Sequence, residues 1–181
     1  MVLYHQFISA MSIILRHATL ADAPLLEQWD QQQHIIDSDP NDDWNWRTEL
    51  GIHHAWREQL VAELDQRPIG FVQIIDPAEE ESHYWGEVPP NLRAIDIWIG
   101  EASDLGKGYG TTMMRLALER CFRHPLVTAV LIDPLESNIR AHRFYERLGF
   151  RFVERRTFDE DDTLVYRMER KDWEKSIPKA K

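Results

Sequence analysis

The sequence predicts a single mixed α/β domain of the α+β kind, and three observations carry that prediction. Strand-like runs such as "LRAIDIWIG" interleave with stretches of helical period such as "GTTMMRLALERCF". Turn and cap residues sit at the joints between them. No repeat, linker or low-complexity tract divides the 181 residues, which suffice for one buried core.

The elements follow in order. "SIILRH" is a strand with apolar Ile13, Ile14 and Leu15, two of them β-branched. A helix comes next, with Asp22 as its N-cap, Pro24 in its first turn and Leu25, Leu26 and Trp29 on its apolar face. "HIIDSDPNDDWNW" is a loop crowded with acids and indoles. "ELGIHHAWREQLVAEL" carries a short helix running into a strand through Val61 and Leu64, and "RPIGFVQIID" is a further strand. In "LRAIDIWIG", Ile95, Ile97 and Ile99 share one face while Asp96 and Trp98 share the other. Met113, Met114, Ala117, Leu118, Cys121 and Phe122 make the stripe of a long helix that stops at His124-Pro125. "LVTAVLID" is a buried strand. "SNIRAHRFYERLGF" is a helix capped by Ser137 or Asn138, striped by Ala141, Phe144, Tyr145 and Leu148, and closed by Gly149. Two strands, near 150–156 and 163–170, finish the domain.

We expect the domain to span 12–175, with 1–11 as an N-terminal extension and 176–181 as a tail. "MVLYHQFISA" lacks the basic start of a secretory signal. No apolar run approaches the roughly 18 residues of a membrane span. The one cysteine, Cys121, excludes an internal disulfide and reads as a small buried apolar residue in a reducing, cytoplasmic compartment. The net charge of -10 argues against a nucleic-acid partner. Through residue 100 there are 5 basic residues against 17 acidic; from 101 onward there are 16 against 14. An acidic first half and a mildly basic second half suit a protein that meets a cation with one part and an anion with another. Solvated surface is the competing explanation. His53, His54 and His83 have neither metal-ligand spacing nor acid partners, so we expect no metal.

Glycines at 106, 108 and 110 stand between a strand and a helix. Free N–H groups at a helix N-terminus and the helix dipole favour an anion, and glycines allow a pyrophosphate to approach the main chain. Lys107-Gly108 is not the Gly-Lys-Ser/Thr of a Walker loop, and the spacing is not that of a dinucleotide fingerprint. A tight turn without a ligand is the alternative.

The order of strand, "LGKGYGT", helix, strand, "SNIRAHRFYERLGF" and strand resembles the GNAT family of acetyl-coenzyme A-dependent N-acetyltransferases over about residues 12 to 172. That resemblance implies a mixed, mostly antiparallel twisted sheet flanked by helices, with acetyl-coenzyme A as cosubstrate. Gly108 and Gly110 match the family's Arg/Gln-x-x-Gly-x-Gly/Ala pattern, with Leu105 where Arg or Gln is usual. Asn138, Ala141, Tyr145, Gly149 and Phe150 match its N-x-x-A-x-x-x-Y-x-x-x-G-F signature in full. The implied cofactor-binding set is Ile97, Ile99, Leu105, Gly106, Lys107, Gly108, Tyr109, Gly110, Thr111, Asn138, Arg140, Ala141 and Tyr145, with Arg143 a further base able to reach phosphate.

"RAIDIWIG", "DPLESNIRAHRFYERLGF" and "QWD…HII" look like the aminoglycoside 6'-N-acetyltransferase branch. By that resemblance Asp96 is the catalytic base, Asp133 binds acceptor amines, and Glu81 and Trp85 line the acceptor site with Trp98 and Asp37. The branch's double tryptophan after "HII" is replaced by "DSDPNDDWNW", where Asp37, Asp39, Asp42 and Asp43 offer acids and Trp44 and Trp46 offer indoles. Tyr145 is the second catalytic candidate, able to donate a proton or a hydrogen bond to the departing thiolate of coenzyme A. Each residue has a plainer alternative. For Asp96 it is a structural ion pair with Arg93, for Tyr145 core packing, for Asp133 an Asp-Pro turn and for the acidic stretch a polar loop. The expected reaction is direct acetyl transfer to a primary amine of a cationic small molecule, by a monomer or homodimer. Another amine (polyamine, siderophore precursor, protein lysine or N-terminus) and a silent acyl-coenzyme A-binding module are the competing functions.

Overall fold

Strand β1 (Ile13–His17) forms where the β-branched run begins. The structure is a computed structural model that describes residues 12–41, 43–158 and 160–177. The expected extension 1–11, the candidate Asp42 and the tail from 178 lie outside the described residues. After β1 a 3-10 turn, Leu20–Asp22, leads into α1 (Ala23–Trp29). Asp22 is the N-cap residue of α1, as expected, but its side chain makes no cap bond there. Its carboxylate accepts from the Thr19 N–H at 2.8 Å and from Arg16 at 2.7 and 2.8 Å, closing the 3-10 turn instead of capping α1 by its side chain. Single-turn helices α2 (Gln33–Ile36) and α3 (Trp46–Glu49) punctuate the acidic loop.

The hairpin β2 (Arg57–Leu64) and β3 (Arg67–Ile75) is followed, after the 76–91 loop, by β4 (Leu92–Ile99). Then come α4 (Tyr109–Arg123), β5 (Ala129–Ile132), α5 (Ile139–Leu148), β6 (Arg151–Phe158) and β7 (Asp161–Glu169). A last helix, α6 (Arg170–Ser176), was not foreseen. The seven strands form one sheet in the order β1-β2-β3-β4-β5-β7-β6. Every neighbouring pair is antiparallel except β4 and β5.

The alternation in β4 sorts its residues onto the two faces as expected. Ile95 packs with Met113, Met114, Ala117 and Leu118 of α4 and with Leu60 and Val72 of the hairpin. Full burial of each such side chain is worth roughly 1.5–3 kcal/mol. On the other face Trp98 meets Phe71, Trp46, Leu26 and Trp29. Trp29 packs where a Cβ at Gly100 would lie 2.0 Å from its ring, so only glycine permits that contact. Cys121 is 4% exposed, and burial pushes its thiol up to about 12, which leaves it an inert apolar filler as expected.

One departure from a regular sheet positions the site. β4 pairs with β5 only from Leu92 to Ala94, while β3 stays registered with β4 from Gly70↔Ile99 to Ile75↔Ala94. From Ile95 onward the β5-facing edge of β4 leaves the ladder. A parallel pair that splays in this way opens a wedge whose sides are main-chain N–H and C=O groups.

Candidate active site

A cavity of about 410 Å³ lies in that wedge, between the end of β4 and the N-termini of α4 and α5. Ile97, Trp98 and Ile99 of β4 form one side. Leu105, Gly106, Gly108, Tyr109, Gly110 and Thr111 form the floor, and Asn138, Arg140, Ala141, Phe144 and Tyr145 the opposite wall. All of the cofactor-binding candidates except Lys107 meet here. Lys107 turns instead to Asp104, its Nζ donating at 2.9 Å, and Arg143 is not among the lining residues.

The floor explains the glycines. Gly106 and Gly108 adopt φ of +76° and +82°, and the space a Cβ would take at each holds no other atom within 4 Å. Gly108 is the N-cap of α4, and the first intrahelical bond to it comes from the Thr112 N–H at 3.3 Å. The N–H groups of Tyr109, Gly110 and Thr111 therefore have no acceptor within the helix. This open main-chain cradle at a positive helix end fits the pyrophosphate of coenzyme A, with Arg140 and Arg147 in the same lining. The loop is moored from below. Asp104, 3% exposed, accepts from Arg67 at 2.6 and 3.3 Å as well as from Lys107. The Arg67 hydrogen bond, outweighing burial and helped by Lys107, holds the Asp104 carboxyl below the usual carboxylate range.

Tyr145 is 8% exposed and on the wall of the cavity. Burial first, then the charges of Asp96 and Asp133, push its phenol well above the ordinary range, so it keeps its proton at any working pH. The two readings of Tyr145 are thus not exclusive: it packs in the core and also faces the cavity. Asn138 caps α5, its Oδ1 accepting from the Ala141 N–H at 3.0 Å.

Asp96 stands half-buried in β4, directly opposite Gln73 of β3. Gln73 Nε2 donates to Asp96 Oδ2 at 2.8 Å, and Gln73 Oε1 accepts from Gln59 Nε2 at 3.3 Å. Arg93 pairs with Asp76 at 2.7 Å, which displaces the expectation of an Arg93–Asp96 ion pair. Asp133 follows the last residue of β5 and accepts from the Tyr84 hydroxyl at 2.8 Å. Loss of solvent raises its carboxyl to about 6 against the opposing effects of Tyr84 and Arg156. The Tyr84 phenol is raised by desolvation and then by Asp133, Asp96 and Asp39 in turn. Three carboxylates from three separate segments thus act on one phenol. A pocket of about 50 Å³, lined by Asp30, Ile35, Ile36, Ser38, Asp39, Trp44 and Trp98, adjoins the large cavity through Ser38 and Trp98. Trp44 stacks on Trp46 with centroids 5.0 Å apart, and Trp46 Nε1 donates to Asp30.

Trp85, Glu81 and Asp37 are not among the residues that line the two cavities, nor are Asp96 and Asp133. Trp85 is 4% exposed and packs with Leu131, Val165 and Phe158, so the loop's core anchor is Trp85 and the residue on Asp133 is its neighbour Tyr84. Glu81 has 74% of its side chain exposed and faces His54 at 3.8 Å. Asp37 is exposed at the end of α2, accepting from Gln33 at 2.7 Å, while Asp39 lines the small pocket. The sequence also missed His34. Its Nε2 lies 2.8 Å from the Ile99 carbonyl, and because a carbonyl only accepts, Nε2 carries the hydrogen. His34 thereby closes the end of the wedge. Among the described residues no group of three or more His, Cys, Asp or Glu is arranged to hold a metal. No helix among them is long and apolar enough to cross a membrane.

Comparison with known proteins agrees with this geometry. A family model described as an acetyltransferase (GNAT) domain matches residues 18–158. An aminoglycoside N(6')-acetyltransferase type 1 of Klebsiella pneumoniae is 32% identical over 155 residues, covering 77% of this chain and 74% of the relative. A kanamycin resistance protein of Rhizobium radiobacter is 44% identical over 72 residues, 39% of this chain and 67% of its own length. The crystal structure of the aminoglycoside acetyltransferase AAC(6')-Ib with coenzyme A and kanamycin superimposes with a TM-score of 0.82 at 29% identity, over 91% of this chain and 99% of that one. With its wedge, its glycine floor and a family match across most of its length, the chain belongs to the GNAT acetyltransferase family and is an N-acetyltransferase that uses acetyl-coenzyme A.

Proposed function

We propose that this enzyme acetylates the 6'-amino group of an aminoglycoside. The observation that carries the reading is the Tyr84 hydroxyl on Asp133 at 2.8 Å, with Asp39 on the small pocket that adjoins the glycine-floored cavity and Asp96 on the strand whose next three residues line that cavity. An acceptor carrying several ammonium groups matches several carboxylates and flanking indoles, whereas a neutral or singly charged amine matches few of them. The similarity to aminoglycoside acetyltransferases supports the same acceptor. We place the enzyme in the cytoplasm, as a monomer or homodimer without nucleic-acid or membrane partners.

Acetyl-coenzyme A supplies the activated thioester. The N–H groups of Tyr109, Gly110 and Thr111, with Arg140, hold its diphosphate and so aim the acyl end along β4. The open edge of β4 between Ile97 and Ile99 offers main-chain hydrogen-bond donors to the thioester oxygen, where negative charge grows as the amine attacks. Asp96, oriented by Gln73, receives the acceptor ammonium. A carboxyl near ~4 is far too weak a base to strip an amine near ~10 outright, so Asp96 positions the nitrogen and passes the proton on to water. The N–C bond forms as the C–S bond breaks, and Tyr145, which retains its proton, donates a hydrogen bond to the departing thiolate.

A thiol-release assay with acetyl-coenzyme A and a panel of kanamycin, spermidine and lysine peptides tests the acceptor. Turnover of kanamycin with a KM that rises steeply with salt is expected, since the acceptor meets several carboxylates at once. Brisk turnover of a polyamine or peptide without any aminoglycoside turnover would retire the reading.

A further inference from the structure

We propose that Tyr84 is the positioning residue of the acceptor site, locking Asp133 in place by its hydroxyl so that the carboxylate is held, ionised, for an acceptor ammonium. The proposal rests on the aminoglycoside reading for the identity of the acceptor and on the geometry around Tyr84 for the rest.

That hydroxyl is fixed from three directions. Its ring stacks on Phe158 with centroids 4.2 Å apart and planes 10° from parallel. Its main chain is held by Glu80, 8% exposed, whose carboxylate accepts from the Ser82 N–H at 2.7 Å and from the Tyr84 N–H at 2.9 Å. Trp85, edge-on to both Tyr84 and Phe158, anchors the loop in the core and gives its carbonyl to Arg156 at 3.0 Å. From this frame Tyr84 donates to Asp133 Oδ2 at 2.8 Å, which fixes the orientation of the carboxylate. A loop residue held so firmly from behind behaves as part of the scaffold, and binding sites gain precision from such support.

The charged and titratable groups that act on Asp133 are Tyr84 of the 76–91 loop and Arg156 of β6; Asp133 in turn acts on Tyr145 of α5, and Asp96 of β4 acts with it on both tyrosines. Tyr84 is the side chain that donates a hydrogen bond directly to the carboxylate, beside the main-chain N–H of Asp133 itself. A donor of this kind stabilises the ionised carboxylate, and without it desolvation acts with less opposition. Loss of the hydroxyl is then expected to turn Asp133 into a carboxyl that is partly protonated near neutrality and free to rotate.

The test is Tyr84→Phe, which keeps the stack on Phe158. Two readouts are compared with wild type: the pH at which the Asp133 carboxyl titrates, followed by carbon-13 NMR without any acceptor, and the pH profile of kcat/KM for kanamycin. The Asp133 midpoint and the acid limb of kcat/KM should both move up by at least about half a pH unit, with KM at pH 6.5 raised about three- to tenfold and kcat within about twofold. Unmoved midpoints in both readouts, or a loss confined to kcat, would overturn the assignment. Should wild type turn over no aminoglycoside, the acceptor reading falls by itself, and the NMR titration still decides what Tyr84 does to Asp133.

Discussion

Around Gly106 and Gly108 the surface offered to a ligand is main chain: two left-handed glycines and the unpaired first turn of a 15-residue helix. Around Tyr84 and Asp96 it is side chain, drawn from β4, the end of β5, the acidic loop and the 76–91 loop. On the proposed reading the first region holds a cosubstrate whose diphosphate is invariant in chemistry, and backbone geometry suffices to recognise it. The second, as proposed, matches one particular arrangement of ammonium groups, which needs charges at set distances and therefore residues from several elements. This difference predicts that damage to the acceptor side removes turnover while sparing cofactor affinity, and that damage to the glycine loop does the reverse.

The sharpest test of that separation is Asp96→Asn. The amide keeps the size of the side chain and removes the charge proposed to receive the ammonium. A fall of about 10²–10⁴ in kcat/KM is expected, the usual range for a proton-handling group. Calorimetric affinity for acetyl-coenzyme A should stay within about twofold. A comparable loss of cofactor affinity would break the comparison.

Gly108→Ala probes the other side. At φ +82° an added Cβ meets no neighbour, so its effect comes from backbone strain alone. That strain, ~1–2 kcal/mol, corresponds to about a tenfold weaker acetyl-coenzyme A affinity if the loop relaxes toward negative φ when unliganded. The acceptor KM should hold. Tyr145→Phe comes next in size, with kcat reduced about three- to tenfold. The departing thiol has a pKa near ~8.5 and leaves without full protonation, so the phenol contributes only a hydrogen bond.

The two regions also differed in how far the sequence disclosed them. "LGKGYGT" before an amphipathic run, and Asn138 to Phe150 at fixed spacings, are local patterns, and the helices they mark appeared where expected. Ile95 to Ile99 alternated in the sequence as they do in the sheet. The acceptor side depends on contacts between residues far apart in the chain. Gln73 reads as one polar residue in an apolar strand, and only the β3–β4 register sets it opposite Asp96. Tyr84 and Trp85 are adjacent aromatics in an aperiodic loop, and which one enters the core is decided by Leu131, Val165 and Phe158. His34 is one polar residue on a single-turn helix until the wedge brings the Ile99 carbonyl within 2.8 Å. Asp37 is the acid expected on the acceptor side, yet Asp39 is the one that lines the small pocket, because a single-turn helix sets no facing pattern in the sequence.

The smallest expected effect concerns the mooring under the glycine loop, where stability and cofactor binding share one carboxylate. Asp104→Asn keeps a hydrogen-bonding side chain beneath the loop but removes the charge that holds Arg67 and Lys107. Because the folded carboxyl lies below its unfolded value, its contribution is present above an unfolded pKa near ~4 and fades as pH falls toward the lower folded value. Thermal scans at pH 7 should therefore show the variant melting a few degrees below wild type, for a loss of ~1–2 kcal/mol in a chain of this length. The gap should narrow steadily below about pH 4, as the wild-type carboxyl protonates too. With the floor less firmly held, the acetyl-coenzyme A KM rises about two- to threefold while the kanamycin KM stays put. A rise in the kanamycin KM of equal size would mean that the two halves of the site are mechanically joined through this loop, and the main-chain half would no longer be separable from the side-chain half.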